Sequence, residues 1–325
     1  MKIVVAGGTG LLGSMLTGSL RRAGHEVIVL SRGSGAGRVQ WDGRSLGAWM
    51  QEIDGAEAVI NLAGRTVNCR YTAENLRQML DSRVDSTRIV GQAIERAARP
   101  PRVWLQMSTA TVYAHRYDAP NDEATGRIGG DEPDVPAYWR TSIDIAQAWE
   151  RTLAEAATPA TRKVALRTAM VMGVGRGGVF DVLLTMTRLG LGGPIGGGRQ
   201  FVSWIHEQDF VRAVVLLLDR DDLAGPVNLA SPGPLPQREF MTALRAAARV
   251  PVGLPATRWM AEVGAWVMRT DTELLLKSRR VVPGRLLDAG FQFDFPAWPA
   301  AAAELVGRMR GGVSPVAPLR SVASP

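Results

Sequence analysis

Thirteen residues at the start of the chain, MKIVVAGGTGLLG, constrain the fold more than any other stretch. Ile3, Val4, Val5 and Ala6 form the kind of apolar, β-branched run that becomes a strand buried on both faces, as the first strand of a parallel sheet must be. Gly7, Gly8, Gly10 and Gly13 then crowd the turn, with Thr9, Leu11 and Leu12 between them. Such glycines let the chain reverse tightly, bring backbone N–H groups to a pyrophosphate and let the next helix close on the sheet. That helix, expected to run to Arg22, would aim the positive end of its dipole at the phosphates. The amphipathic set Leu11, Leu12, Met15, Leu16 and Leu20, followed after Gly24 by a second strand from Glu26 to Leu30, completes a βαβ unit. A unit of about 30 residues is what the dinucleotide fingerprint requires. A bare strand-to-helix turn accounts for the glycines but not for the unit around them.

Length and composition set the limits. The 325 residues, 46% hydrophobic and 21% charged, suffice for one large α/β domain with an elaborated lobe. Cys69 is the only cysteine, so no disulfide can form within the chain. No signal-like apolar region precedes the first strand, and the expected location is cytoplasmic. No apolar run approaches the roughly 20 residues of a membrane span. The net charge of +7 comes from arginines scattered along the chain rather than gathered in a basic tail or stripe, which argues against nucleic acid as a partner. Of 38 basic residues only Lys2, Lys163 and Lys277 are lysines.

After the second strand comes Ser31-Arg32-Gly33. An NAD enzyme keeps an acidic residue for the ribose hydroxyls about 20 residues past its glycines. No Asp or Glu occurs between Val27 and Trp41, and Arg32 offers a planar cation suited to a 2′-phosphate, with Arg38 a weaker candidate. The cofactor expected is therefore NADP(H); the competing reading makes Arg32 one more surface arginine. Asp42 lies either near the adenine or in a solvated turn. Ala58-Val59-Ile60 runs into Asn61, Leu62, Ala63 and Gly64, a strand ending in small residues where the sheet's carboxyl edge would face the cofactor. A helix from Ala73 to Ala97 follows, with Asp81, Ser82 and Arg83 on its exposed side.

Val103 to Met107 is the next strand, and it runs into Ser108, Thr109, Ala110, Thr111, Val112 and Tyr113. Hydroxyls at a strand end can hydrogen-bond a substrate carbonyl or alcohol, or simply shape a turn. Asp118 to Pro136 reads as a surface loop, and Thr141 or Ser142 as the cap of a helix reaching about Ala157. Val164 to Thr168 opens a sixth strand that continues through Met172. Beyond Gly173 come glycine-rich loops, Gly175 to Gly178 and Gly190 to Gly198, around a helix from Phe180 to Leu189. Phe201 to His206 is strand-like, Asp209 to Leu218 helical, and Val227 to Leu229 a last strand. The expected division is a nucleotide-binding domain over 1–173, completed by about 206–230, a substrate lobe over 174–310, and a disordered Pro/Ser-rich tail over 311–325.

In this order the motifs GGTGLLG, NLAG, STATVY, LRTAMV and SWIH with Asp209 resemble the extended short-chain dehydrogenase/reductase superfamily. The chain is more closely similar to an atypical branch, the epimerase family with a C-terminal DUF1731 domain. Tyr71-Thr72, the run Asp81-Ser82-Arg83-Val84-Asp85-Ser86-Thr87, the stretch Gly190 to Asp209 and the RVVPGRLLDAGFQF segment from Arg280 to Phe293 carry that closer likeness. The resemblance implies an α/β fold, a Rossmann-like doubly wound parallel sheet binding NADP(H), with a smaller, mainly helical C-terminal substrate lobe. It also implies an oxidoreductase or epimerase label inherited from the superfamily.

The chain departs from the superfamily at its Tyr-x-x-x-Lys pair, in which a lysine lowers the pKa of a tyrosine acid/base. Counting back from Trp149-Glu150 puts Ser142 and Ala146 at those positions. The residue four before Lys163 is Pro159, and four before Lys277 is Glu273. Two functions follow. One is an NADP(H)-dependent reductase or epimerase acting on a small carbonyl, enone or sugar-nucleotide-like substrate, with Thr109 and Ser108 as hydrogen-bond donors and Tyr113 or Tyr138 as proton carrier. The other is a non-catalytic NADP(H)-binding sensor or scaffold. Arg199, Trp204 and His206 are candidate substrate residues, with Arg280 beside them and His115 a further proton carrier. No metal is expected, and a homodimer is the superfamily's usual assembly.

Overall fold

The computed structural model describes residues 1–257, 260 and 273–311, apart from 134 and 137. Its centre is a seven-stranded parallel sheet: β1 (Lys2–Ala6), β2 (Glu26–Ser31), β3 (Arg38–Gln40), β4 (Ala58–Asn61), β5 (Val103–Thr109), β6 (Arg162–Thr168) and β10 (Gly225–Leu229). The spatial order is β10-β6-β5-β4-β1-β2-β3. Successive strands spread outward from β1 in both directions, so the order reverses between β1 and β4. A ligand crevice opens at such a switch point, beyond the carboxyl ends of the strands.

Burial on both faces explains the apolar runs. Along β1, Ile3 and Val5 join a core with Leu16 and Leu20 of α1 (Leu11–Arg22) and with Val211, Val214 and Leu218 of α5 (Glu207–Asp219). The alternate residues Val4 and Ala6 join a second core with Ile89, Val90 and Ile94 of α2 (Ala73–Glu95) and Leu153 of α3 (Trp139–Glu155). Each of these strand residues is fully buried. Burying a Val or Ile side chain is worth about 1.5–3 kcal/mol, so this strand is a principal anchor of the fold.

The expected sixth strand is divided. Thr168 is the last residue paired in the large sheet, and after Ala169 the chain turns away as β7 (Met170–Met172), which pairs with β9 (Trp204–His206). The expected strand over 201–206 is divided too. β8 (Phe201–Val202) pairs with β11 (Leu235–Pro236), and Ser203 between the two pieces donates to Arg279 O (2.6 Å) and accepts from Val281 N (2.8 Å). At this break the serine hydroxyl holds the returning C-terminal segment. β7 and β9, with α4 (Val179–Arg188), α6 (Gln237–Ala248) and the helix Trp298–Gly311, enclose a separate core of Phe180, Trp204, Phe240 and Trp298.

Helix α3 begins at Trp139, ahead of the expected caps. Trp139 N–H donates to Pro136 O, and its indole packs edge-on to His115 at 5.3 Å. Thr141 and Ser142 therefore lie within the first turn. The expected tail over 311–325 lies, past Gly311, outside the described residues.

Candidate functional site

The cradle at the switch point is shaped by close backbone approach. Gly7 has φ +74°, and a Cβ there would lie 2.9 Å from Ala63 N; a Cβ on Gly13 would lie 2.4 Å from Gly7 O. These two glycines are demanded by the fold itself. Gly10 is different: exposed, with φ −71°, its Cβ would meet, among the described residues, only Gly7 O, at 3.5 Å. Among the described residues no side chain caps the N-terminus of α1, and no acidic residue stands in its first turn. The opening N–H groups of a helix lack intrahelical partners, so this end is free to receive an anion. Thr9 and Leu11 are exposed beside it, and Leu12 is half-buried.

The neighbouring strand ends complete the edge. Gly7 N–H donates to Leu30 O (3.2 Å), which sets the end of β2 next to the cradle. Arg32 is exposed there, while buried Ser31 accepts from Gly33 N–H (3.2 Å). Asn61 is fully buried, donating to Gln106 Oε1 (3.0 Å) and accepting from Ala63 N–H (3.0 Å). Its side chain shapes the turn, leaving half-buried Leu62 and Ala63 and exposed Gly64 on the edge. Ser82 and Arg83, expected on an exposed face, instead hold the next residues: Ser82 Oγ accepts from Arg65 N–H (3.0 Å), and the Arg83 guanidinium, stacked on Trp149, donates to Arg65 O (3.1 Å). Burial lowers the pKa of Arg83 to about 10.

The hydroxyl corner differs from expectation. Ser108 is buried and donates to Glu150 Oε1 (2.6 Å), and Glu150 grips Arg167 through two bonds of 2.9 and 2.7 Å. Arg167 donates to Tyr113 Oη (3.0 Å), which donates to Asn228 Oδ1 (2.9 Å). This chain of bonds ties β5, α3, β6 and β10 together. Tyr113 is 2% exposed, and burial pushes its pKa up. Its phenol and the Ser108 hydroxyl, expected as proton carrier and substrate donor, are thus both bonded within this interior network. Thr109 remains on the open side, half-buried, its Oγ1 accepting from Thr111 N–H (3.2 Å) and keeping its own hydrogen to donate. Tyr138 is exposed at the flank of α3.

Two of the expected substrate residues are core residues. Trp204 is fully buried against Trp298 (5.0 Å between rings), its Nε1 donating to Gly233 O. His206, also fully buried, stacks on Phe295, accepts from Gln208 N–H through Nδ1 (3.1 Å) and meets Glu304 through Nε2 (3.0 Å). The alternation of β9 sends both into the lobe interior. Arg199 is exposed, its guanidinium 5.8 Å from the Tyr117 ring, and Arg280 lies over Phe201.

The C-terminal segment supplies groups that sequence reasoning missed. Ser142 Oγ donates to Glu273, Glu273 pairs with Lys277 (3.5 Å), and Lys277 Nζ donates to Thr111 O (2.9 Å). Arg279 Nε donates to Thr111 Oγ1 (3.3 Å). Lys277 is 2% exposed, and burial lowers its pKa to about 8. It lines a pocket of about 370 Å³ with Glu132, Trp139, Arg140 and Ile143. The available signal was one of only three lysines standing in an arginine-rich chain; with 160 or so residues between it and Thr111, spacing could not connect them. Among the described residues no group of His, Cys, Asp or Glu is arranged to hold a metal ion, and no helix is long and apolar enough to cross a membrane.

The model of the NAD dependent epimerase/dehydratase family matches residues 3–230. The chain belongs to that family. A second match, to the DUF1731 domain of unknown function, covers 257–305 and so includes the segment carrying Lys277. Relatives of this epimerase-family chain include the human epimerase family protein SDR39U1, 32% identical over 94% of this chain and the whole of the relative, and epimerase family protein YfhF of Bacillus subtilis, 27% identical over 94% and 98%. A crystal structure of human SDR39U1 (isoform 2) with NADPH is 31% identical, covers 94% of this chain and 99% of that one, and superposes with a TM-score of 0.83. The nucleoside-diphosphate sugar epimerase of Corynebacterium glutamicum is 25% identical with a TM-score of 0.74, covering 94% of this chain and 58% of its own.

Proposed function

We propose that this chain is an NADP(H)-dependent oxidoreductase or epimerase acting on a small carbonyl, enone or sugar-nucleotide-like substrate without a Tyr-x-x-x-Lys pair. The observation that carries the reading is Gly10: among the described residues a Cβ there would meet Gly7 O alone, at an ordinary 3.5 Å, yet the position is glycine at an uncapped helix terminus. A pyrophosphate resting on the N–H groups of that terminus accounts for both facts. Gly7, Gly8, Thr9, Leu11, Leu12 and Gly13 frame it, Leu62, Ala63 and Gly64 border it, and Arg32 meets a 2′-phosphate at the end of β2. The NADPH in the related human structure supports the choice of cofactor. When bound, the nicotinamide supplies hydride chemistry. Thr109, at the carboxyl end of β5, donates to the substrate oxygen and orients it, while Tyr138 and Arg199 border the open side.

The test is NADPH and NADH binding by fluorescence, then loss of absorbance at 340 nm against a panel of ketones, enones and sugar nucleotides. Binding of NADPH with turnover on at least one class supports the reading. Tight NADPH binding without turnover selects the sensor or scaffold, a reading favoured by the locking of Ser108 and Tyr113 into the interior network. Absence of binding removes both.

A further inference from the structure

The first turn of α3, at the position that the resemblance assigns to the superfamily's tyrosine, carries Ser142, whose hydroxyl is bonded not to solvent but to Glu273. Glu273 is 1% exposed and faces Lys277, also buried, one helical turn later. A carboxylate and an ammonium removed together from water are costly to keep charged, so each depends on the other and on its remaining hydrogen-bond partners. Lys277 also lines the pocket beside α3, which connects it to solvent for re-protonation. A hydroxyl, a carboxylate and an amine thus stand in series, running from the α3 turn to a water-accessible cavity.

We infer that Ser142, Glu273 and Lys277 form a proton relay that serves the substrate oxygen in place of the phenol–lysine pair. The inference rests on the proposed reduction at Thr109. As the substrate carbonyl carbon receives a hydride, the carbonyl π pair moves onto oxygen, which takes the Ser142 hydroxyl proton. Lys277 gives a proton to the Glu273 carboxylate as Glu273 passes one to Ser142 Oγ, and the lysine ends as a neutral amine that water re-protonates. The substrate is reduced by two electrons and NADPH is oxidised by two; alcohol oxidation runs the same transfers backwards. Ser142 touches the reacting oxygen, and Glu273 and Lys277 act through it.

Several charged groups set the operating range of Lys277. Glu273 and Arg279 face it from its own segment, Glu132 from the loop before α3, and His115 from the segment after Thr111. Burial is the largest influence and favours the neutral amine, Glu273 and Glu132 favour the ammonium, and Arg279 opposes it. The balance leaves a lysine with a pKa of about 8, able to give and take a proton near neutrality.

Having only three lysines makes a direct test practical. The full chain, labelled with lysine carrying 13C at Cε, gives one cross-peak for each lysine, assigned with Lys2→Arg, Lys163→Arg and Lys277→Met. The Lys277 peak is expected to titrate at about 8. Ser142→Ala, a half-buried position, removes a donor from Glu273, leaves the carboxylate charge to act more fully on Lys277 and raises that midpoint by about half a pH unit, roughly threefold in proton affinity. Saturating NADP+, whose ring is cationic, lowers it further than NADPH does. A Lys277 midpoint near 10, or one that ignores Ser142→Ala, overturns the relay. Failure of NADPH to bind, measured separately by fluorescence, overturns the cofactor reading and leaves the Ser142 comparison to decide whether the three groups are coupled.

Discussion

Gly10→Ala separates what the fold needs from what the ligand needs. Gly10 has φ −71° and ψ 173°, extended values that alanine adopts without strain, and its new methyl would meet only Gly7 O, at an ordinary 3.5 Å. Replacing a compatible glycine restricts the unfolded chain and stabilises by about 0.4–1 kcal/mol. For a chain of this size that raises Tm by roughly 1–3 °C. The same methyl stands where the phosphates would rest. Losing one charge-assisted bond costs about 1.5–3 kcal/mol, so the NADPH Kd should rise about tenfold to a hundredfold. Gly13→Ala provides the contrast: its Cβ would fall 2.4 Å from Gly7 O, and overpacking of about 1–3 kcal/mol should lower Tm even without cofactor. Scanning calorimetry of the cofactor-free variants and NADPH fluorescence titration give the two readouts. Wild-type NADPH affinity in Gly10→Ala would refute the placement of the pyrophosphate, and a Tm loss equal to that of Gly13→Ala would refute the claim of open space.

Arg32→Ala should weaken NADPH much more than NADH, by about tenfold, since one exposed charge pair with a phosphate is lost; equal losses for both would remove Arg32 from the 2′-phosphate. Thr109→Val should lower the rate with any substrate found in the panel while NADPH binding holds, and an unchanged rate sends the search to Tyr138. Asp209, fully buried, accepts from Asp294 N–H (2.8 Å) and Phe295 N–H (2.9 Å) and pairs with Arg212. Asp209→Ala should therefore cost about 3–5 kcal/mol in urea unfolding, and a loss under about 1 kcal/mol contradicts this anchoring role. Lys277 also predicts a pH effect on stability. Burial lowers its folded pKa to about 8, against roughly 10.4 when unfolded, so between these values the unfolded chain binds more protons. Its contribution to stability thus rises from pH 8 toward 10 and is least favourable below pH 8. The difference between wild type and Lys277→Met, followed by denaturant midpoint across that range, should show this slope, and parallel curves exclude it.

The opening βαβ unit was legible because its determinants are local: buried β-branched residues, glycines at a turn and an amphipathic helix lie within one short window. The hydroxyl cluster at Ser108 to Tyr113 was also visible as a cluster. Which hydroxyl faces outward was not, because that depends on Glu150, Arg167 and Asn228, brought from three other elements. The burial of Trp204 and His206 was illegible for a related reason. An aromatic and an imidazole at a strand end suit either a pocket wall or a core, and the choice falls to Trp298, Phe295 and Glu304, about a hundred residues away. The divided strands at Ala169 and Ser203 likewise reflect tertiary demands, since the residues flanking each break have strand propensity throughout.

The returning segment around Arg280 has a consequence for how much of the chain the fold requires. Asn121 exchanges backbone hydrogen bonds with Arg280 and Val282, and Arg285 donates to Pro226 O, so a late stretch is threaded through contacts made by the first two-thirds. A chain cut before Arg280 would leave the fully buried Asn121 without the backbone partners that close the fold around it, and would take Leu286 and Phe291 out of the core that β1 shares with α1.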